Sequence, residues 1–385
     1  MNKIFLSAMA SFAIIVSSCS GTQSKSDADD IDYTADRFAD IEVLRYRVPG
    51  FEELTPQQRI YIYYLTEAAI AGRDMLWDQN CRYNLAIRDL IEGVYANYSG
   101  DRDDENFKAL ETYLKQIEFA NGIHHHYSMD KFTPRFTQEW LEAQAQALPE
   151  GTLREADYSV LMPVIFDPAV MPKRVNQAAG QDLILTSACN LYDGVTQAEV
   201  ERYYDALKDT TDLTPVSWGL NTRVVKEDGK VVEQTYKVGG VYSPAIERVV
   251  ANLEKAAEYA ENDTQRDIIA KLVSYYRTGA LKEFDDYSIA WAEDTASRID
   301  FINGFIEDYG DPLGMTGAYE SIVNFKNLEA SKRTETIAAN ADWFEANSPT
   351  DPRFKKDKVK GVSAKVITAA ILAGDAYPAT PIGIN

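Results

Sequence analysis

The spacing of apolar residues switches between helical and alternating periods along this chain, which restricts it to a mixed α and β fold. Before about residue 208 the apolar positions recur at helical intervals; beyond residue 220 they begin to alternate. Thr55-Pro56-Gln57-Gln58 predicts a helix start, with Thr55 as cap, Pro56 in the first turn and Gln58 closing a capping box. That helix is expected to run through Ile60, Leu65, Ala68, Ala69, Met75 and Leu76 and to end near Asp78. Further helices are expected over about Arg82 to Tyr98, Asp104 to Ala120 with a stop at Gly122, Thr137 to Ala147, and Thr196 to Lys208 behind the capping box Thr196…Glu199.

The alternating runs Leu220 to Lys226 and Lys230 to Val238 flank Glu227-Asp228-Gly229 and predict a hairpin. Helices then resume over Ser243 to Glu261 and over Asp263 to Thr278, the second stopping at Gly279. Alternation returns at Arg298 with Ile299, Phe301 and Phe305, followed by a second strand over Gly317 to Phe325 and a helix over Leu328 to Ala346. Val362 to Ala373 is apolar and β-branched; it reads first as a buried strand and second as a helix. The fold class is α+β, helical early and sheet-bearing late. No repeat of about 34 or 40 residues is visible, which argues against a helical-repeat array.

Met1-Asn2-Lys3, the apolar stretch Ile4 to Val16 and the small residues Ser17-Ser18 before Cys19 have the order of a secretory signal ending in a lipobox. Residues 1–18 are expected to be a signal peptide, with Cys19 lipidated after cleavage and residues up to 40 serving as a flexible tether. The chain is therefore expected in a bacterial cell envelope, held to the membrane by a lipid anchor. An ordinary signal peptide with an incidental cysteine is the other reading. The formal charge is −21, from 39 basic and 60 acidic side chains, which argues against nucleic acid as a partner. With Cys19 set aside, Cys81 and Cys189 remain, as a disulfide or as two buried thiols.

Walker, dinucleotide-binding, Gly-x-Ser-x-Gly and His-Glu-x-x-His signatures are missing from these 385 residues. The three histidines are consecutive, His124-His125-His126. Neighbouring side chains point in different directions, so they are expected to serve a loop, or to line a polar cleft, rather than to form a metal site. A more informative stretch is Gly304-Phe305-Ile306-Glu307-Asp308-Tyr309-Gly310-Asp311-Pro312, with Trp291 upstream and Glu320 downstream. Glu307 and Tyr309 are two apart, so on a strand they would share a face and could grip an ammonium and a carbonyl. A half-exposed strand with a polar outer face is the plainer alternative.

That stretch resembles the Gly-Phe-Ile-Glu-x-Tyr-x-Asp-Pro segment of the dipeptidyl peptidase III family, and the positions of Trp291 and Glu320 match without a gap. The closing run Pro381-Ile382-Gly383-Ile384-Asn385 is similar to the start of that family's Gly-Ile-Asn-x-Pro-Asn segment. The resemblance implies a two-lobed zinc peptidase that releases dipeptides from peptides with a free N-terminus. It implies a helix-rich lobe around a small five-stranded β-barrel core, over residues 41–327. Residues 328–366 would begin a second, helical metal-binding lobe, and 367–385 would return to the β-core as the peptide-binding strand. By position, Glu307 and Asn385 would hold the substrate ammonium, and Tyr309 would act catalytically at the scissile carbonyl. Glu320 and Trp291 would line subsites. The backbone of Ala379 to Ile384, with Ile382, Gly383 and Ile384, would offer a strand to the peptide. The loop Gly122 to Met129 would border the cleft. The family's zinc motif, His-Glu-x-x-Gly-His, is not found in this sequence, so no metal ligand is assigned. The chain is expected to be an N-terminal portion, inactive alone; a non-catalytic peptide-binding lipoprotein is the alternative.

Overall fold

The computed structural model describes residues 31–152, 158–359 and 365–378. The signal segment, Cys19 and the closing run with Ile382, Gly383, Ile384 and Asn385 lie outside the described residues. The chain divides into two compact units, Met1–Tyr46 and Arg47–Asn385. The described part of the first unit is an antiparallel hairpin of β1 (Thr34–Phe38) and β2 (Ile41–Leu44).

The second unit is helical first. It contains α1 (Pro56–Ala71), α2 (Arg73–Asn80), α3 (Asn84–Asn97), α4 (Glu105–Ala120), α5 (Gln138–Ala145) and α6 (Tyr158–Phe166). A short strand β3 (Tyr192–Asp193), α7 (Gln197–Asp205) and the hairpin β4 (Thr222–Glu227) and β5 (Lys230–Thr235) follow. Then come α8 (Ser243–Ala257), α9 (Asp263–Thr278), α10 (Leu281–Glu293), β6 (Ile299–Phe305), β7 (Tyr319–Lys326), α11 (Leu328–Ala339), α12 (Ala341–Asn347) and β8 (Ile367–Gly374). Among the described residues no helix is long and apolar enough to cross a membrane.

The capping boxes form as the sequence predicts: Thr55 with Gln58 opens α1, and Thr196 with Glu199 opens α7. The hairpin turns at Asp228 and Gly229, both with positive φ. The expected long first helix instead breaks at Gly72. There the phenol of Tyr319, on β7, donates to the carbonyls of Ala68 at 3.2 Å and Ala69 at 3.1 Å. A Cβ at Gly72 would lie 2.0 Å from the Tyr319 ring, so only glycine leaves room for it. Val362 to Ala373 resolves in favour of strand, as β8 from Ile367 onward.

Within this unit the sheets are small: β3-β4-β5 and β6-β7-β8. The implied five-stranded barrel is therefore corrected; among the described residues no closed barrel forms. Between the two three-stranded sheets, Gly317 N–H donates to the carbonyl of Leu220 (2.8 Å) and the Thr316 hydroxyl to that of Thr222 (3.2 Å), without a strand ladder among the described residues. Closure would need a continuous ladder there. The main core joins α1, α8 and α9 to one face of the second sheet through Tyr61, Leu65, Leu253, Leu272, Phe305 and Val323. A separate core holds the first helices together through Trp77, Ile87, Leu90, Leu110 and Ile117.

Candidate functional site

The central strand β7 carries Glu320 one residue after Tyr319. Alternation sends Tyr319 into the main core and Glu320 to the opposite face. That second face is a small apolar patch of Ile302, Ile322 and Ala376, with Trp291, Ile306 and Leu372 packed against it. Glu320 pairs with Gly304 of β6 on one side and Gly374 of β8 on the other, so neither cross-strand neighbour has a side chain beside it. Gln79 of α2 fixes the start of β7: its amide donates to the Gly317 carbonyl and its oxygen accepts from Tyr319 N–H, both at 2.9 Å.

Glu307 reaches the same face through a bulge. Ile306 N–H donates to the Ala318 carbonyl at 3.0 Å, while Ala318 N–H donates to the Glu307 carbonyl at 2.7 Å. Two residues thus oppose one, the arrangement that re-aims a side chain at a strand end. The expectation that Glu307 and Tyr309 share a strand face is corrected here. β6 ends at Phe305, and Asp308 to Asp311 form a turn closed by Asp311 N–H on the Asp308 carbonyl at 2.9 Å. Tyr309 stands in that turn, 70% exposed.

The turn is anchored by Asp311, which is buried. Its carboxylate accepts from the N–H groups of Leu313 (2.9 Å), Met315 (3.0 Å) and Thr316 (2.7 Å), and from the Tyr192 hydroxyl (2.7 Å). Burial pushes its pKa up, and these four donors oppose that push.

A third acid, not singled out by the sequence, joins the two glutamates. β8 ends at Gly374, whose φ is +63° and where a Cβ would lie 2.1 Å from the Tyr319 carbonyl oxygen. The turn this allows directs Asp375 N–H onto that carbonyl at 2.9 Å. The pKa of Glu320 is pushed up to about 8 by burial and then by the charges of Glu307 and Asp375. Burial, Asp375 and Asp308 raise Glu307; burial raises Asp375, and Arg174 opposes it. Glu320 is 5% exposed, and its Oε2 is enclosed without a hydrogen-bond partner. Arg174, the cation that opposes the rise at Asp375, is itself buried and donates to Asn80 Oδ1 (2.9 Å) and to Met129 Sδ (3.1 Å).

Trp291, on α10, packs on the apolar patch and donates its indole N–H to Asp300 at 2.7 Å. The loop from Gly122 to Met129 lies beside the turn after β8: Asn121 donates to the Tyr377 carbonyl at 3.1 Å, and Phe119 bridges the rings of His126 and Tyr377. The histidines serve separate tasks. His124 donates from Nε2 to the Met171 carbonyl at 2.9 Å, and burial lowers its pKa to about 4. His125 accepts at Nδ1 from the N–H groups of Tyr127 and Ser128, and His126 stacks on His125. Cys81 and Cys189 are buried free thiols, and burial pushes the Cys81 thiol up to about 11.

Glu307, Glu320 and Trp291 are thus brought to one sheet face, whereas Tyr309 projects outward from the adjoining turn. Comparison gives the class of protein that this chain is similar to: residues 217–385 match the family model of peptidase family M49. The particular relatives are dipeptidyl peptidases 3. The chain is 23% identical to the protein of Rattus norvegicus, 24% to that of Homo sapiens and 32% to that of Mus musculus, each match covering 87% of this chain. It spans about half the length (50%) of these curated relatives. In fold it is similar to DPP III from Caldithrix abyssi, with a TM-score of 0.60 at 18% identity, covering 85% of this chain and 50% of that one. It is similar also to dipeptidyl-peptidase III from Corallococcus sp. strain EGB, with a TM-score of 0.57 at 16% identity, covering 86% and 50%.

The zinc implied by the resemblance does not fit the described residues. Among them no group of three His, Cys, Asp or Glu side chains could hold a metal ion. No chemical step through zinc is derived from this chain.

Proposed function

We propose that this chain supplies the peptide-gripping half of a zinc-dependent dipeptidyl peptidase, and that Glu307 and Glu320 receive the free N-terminal ammonium of the peptide. The observation that carries this reading is the set of acids at the end of an apolar sheet face, with no cation among the described residues paired to Glu307 or Glu320. The apolar patch suits the flanking side chains of a peptide, and the charged end counts residues from the N-terminus. Tyr309, in the adjoining turn, would reach the scissile carbonyl once a peptide lies along the sheet.

Calorimetric titration of the chain with a free-amine tetrapeptide and its N-acetyl counterpart tests the grip. The free peptide is expected to bind at least about tenfold more tightly, and Glu307→Ala to remove most of that difference, as loss of one partner of a desolvated charge pair does. Equal binding of the two peptides would refute the reading.

We further propose that Cys19 is acylated and holds the protein at a bacterial membrane. Full-length protein is expected to fractionate with membranes, and Cys19→Ala to release it; a wholly soluble wild type would overturn the anchor.

A further inference from the structure

We propose that Asp375 is a third ligand-contacting carboxylate of this site, so that the site selects a primary ammonium by its three N–H bonds. The inference rests on the ammonium reading above and names the residue that completes it.

Position is the first argument. Gly374 is the cross-strand partner of Glu320, and the left-handed turn at Gly374 is enforced by the Tyr319 carbonyl, which a Cβ would meet at 2.1 Å. Asp375 is then pinned by its own N–H on that same carbonyl, at 2.9 Å. The residue that carries the third acid is therefore tied to the peptide unit preceding Glu320. The charge of Asp375 raises both Glu307 and Glu320, which supports their proximity.

The second argument is what the acids lack. Glu320 is 5% exposed and holds an enclosed oxygen without a partner. Among the described residues, no side-chain hydrogen bond reaches Asp375 or Glu307. Arg174 opposes the rise in the Asp375 pKa, yet its own bonds go to Asn80 and Met129, so the lone pairs of Asp375 stay free. Burying acids in this state is costly unless a ligand completes them.

The third argument is stoichiometry. A primary ammonium offers three donors, and Glu307, Glu320 and Asp375 offer one acceptor group each. A secondary ammonium, as in an N-methylated peptide, offers two and would leave one acid buried and unpaired.

The test is calorimetric titration of the chain with three tetrapeptides of one sequence: free, N-methylated and N-acetylated at the N-terminus. Wild type is expected to bind the free peptide about tenfold more tightly than the N-methyl one, the effect of one hydrogen bond between charged groups. Asp375→Asn is expected to weaken the free peptide about tenfold and the N-methyl peptide less than about threefold, with an unchanged urea midpoint. Wild type binding free and N-methyl peptides alike would overturn the inference without recourse to any variant. So would Asp375→Asn weakening both equally, which would leave Asp375 only as a counter-charge to Arg174. If free and acetylated peptides bind alike, the ammonium reading itself falls; if only the free and N-methyl peptides bind alike, that reading stands and the role of Asp375 falls.

Discussion

Replacing Asp311 by alanine is expected to destabilise the protein by about 3–5 kcal/mol, the range for breaking a buried, multiply bonded charge. The carboxylate accepts from Leu313, Met315 and Thr316 N–H and from the Tyr192 hydroxyl, and Asp311 is 2% exposed. Alanine would leave four buried donors without acceptors, and water has little access to replace the carboxylate. Asp311→Asn should cost less, because the amide oxygen can still accept two of those bonds. Urea denaturation reads both variants. The midpoint should fall steeply for alanine and moderately for asparagine, with the slope nearly unchanged. An alanine variant within about 0.5 kcal/mol of wild type would show that the turn holds without its anchor. The same substitution should weaken peptide binding, since the turn it holds runs from Glu307 through Tyr309.

Local chemistry was legible in the sequence wherever a few adjacent residues decide the outcome. The capping boxes at Thr55 and Thr196, the stop at Gly279 and the Asp228-Gly229 turn each form as their residue types dictate. What escaped depends on residues far away in the chain. The break at Gly72 is set by Tyr319, whose ring occupies the space a side chain would need. Helix α6 contains Pro163, a residue that argues against a helix interior, and it escaped notice. Helix α10 was also missed; Tyr287 is its one fully buried residue, so its apolar stripe is weak. At the site, the motif located Glu307 and Glu320, but a regular strand would have turned Glu307 to the wrong face. The bulge opposite Ala318 corrects this, and only cross-strand hydrogen bonds reveal it. Asp375 looked like any acid after a glycine until the register set Gly374 beside Glu320.

The acids at this site should make the free protein less stable as pH rises, and Glu320→Gln should remove most of that loss. The Glu320 pKa in the folded protein is about 8, whereas an unfolded chain releases the same proton near the ordinary glutamate value of about 4.3. Between those values the folded state binds more protons than the unfolded state, so stability falls as pH climbs through the window. Below it, wild type and Glu320→Gln are both neutral at this position and should be nearly equal in stability. Above it, the glutamine variant should be more stable by about 2–4 kcal/mol, an order-of-magnitude figure at about 1.4 kcal/mol per unit. Glu307 and Asp375 are the charges that raise Glu320, so Glu307→Gln should lower its pKa and narrow the gap. Urea denaturation of wild type and Glu320→Gln at pH 5 and pH 9 measures the effect. A gap that does not widen with pH would mean that Glu320 is solvated or paired and is no part of a cation site. Stability given up by the empty site, and recovered when a cation enters, is the trade expected of a binding centre built from unpaired acids.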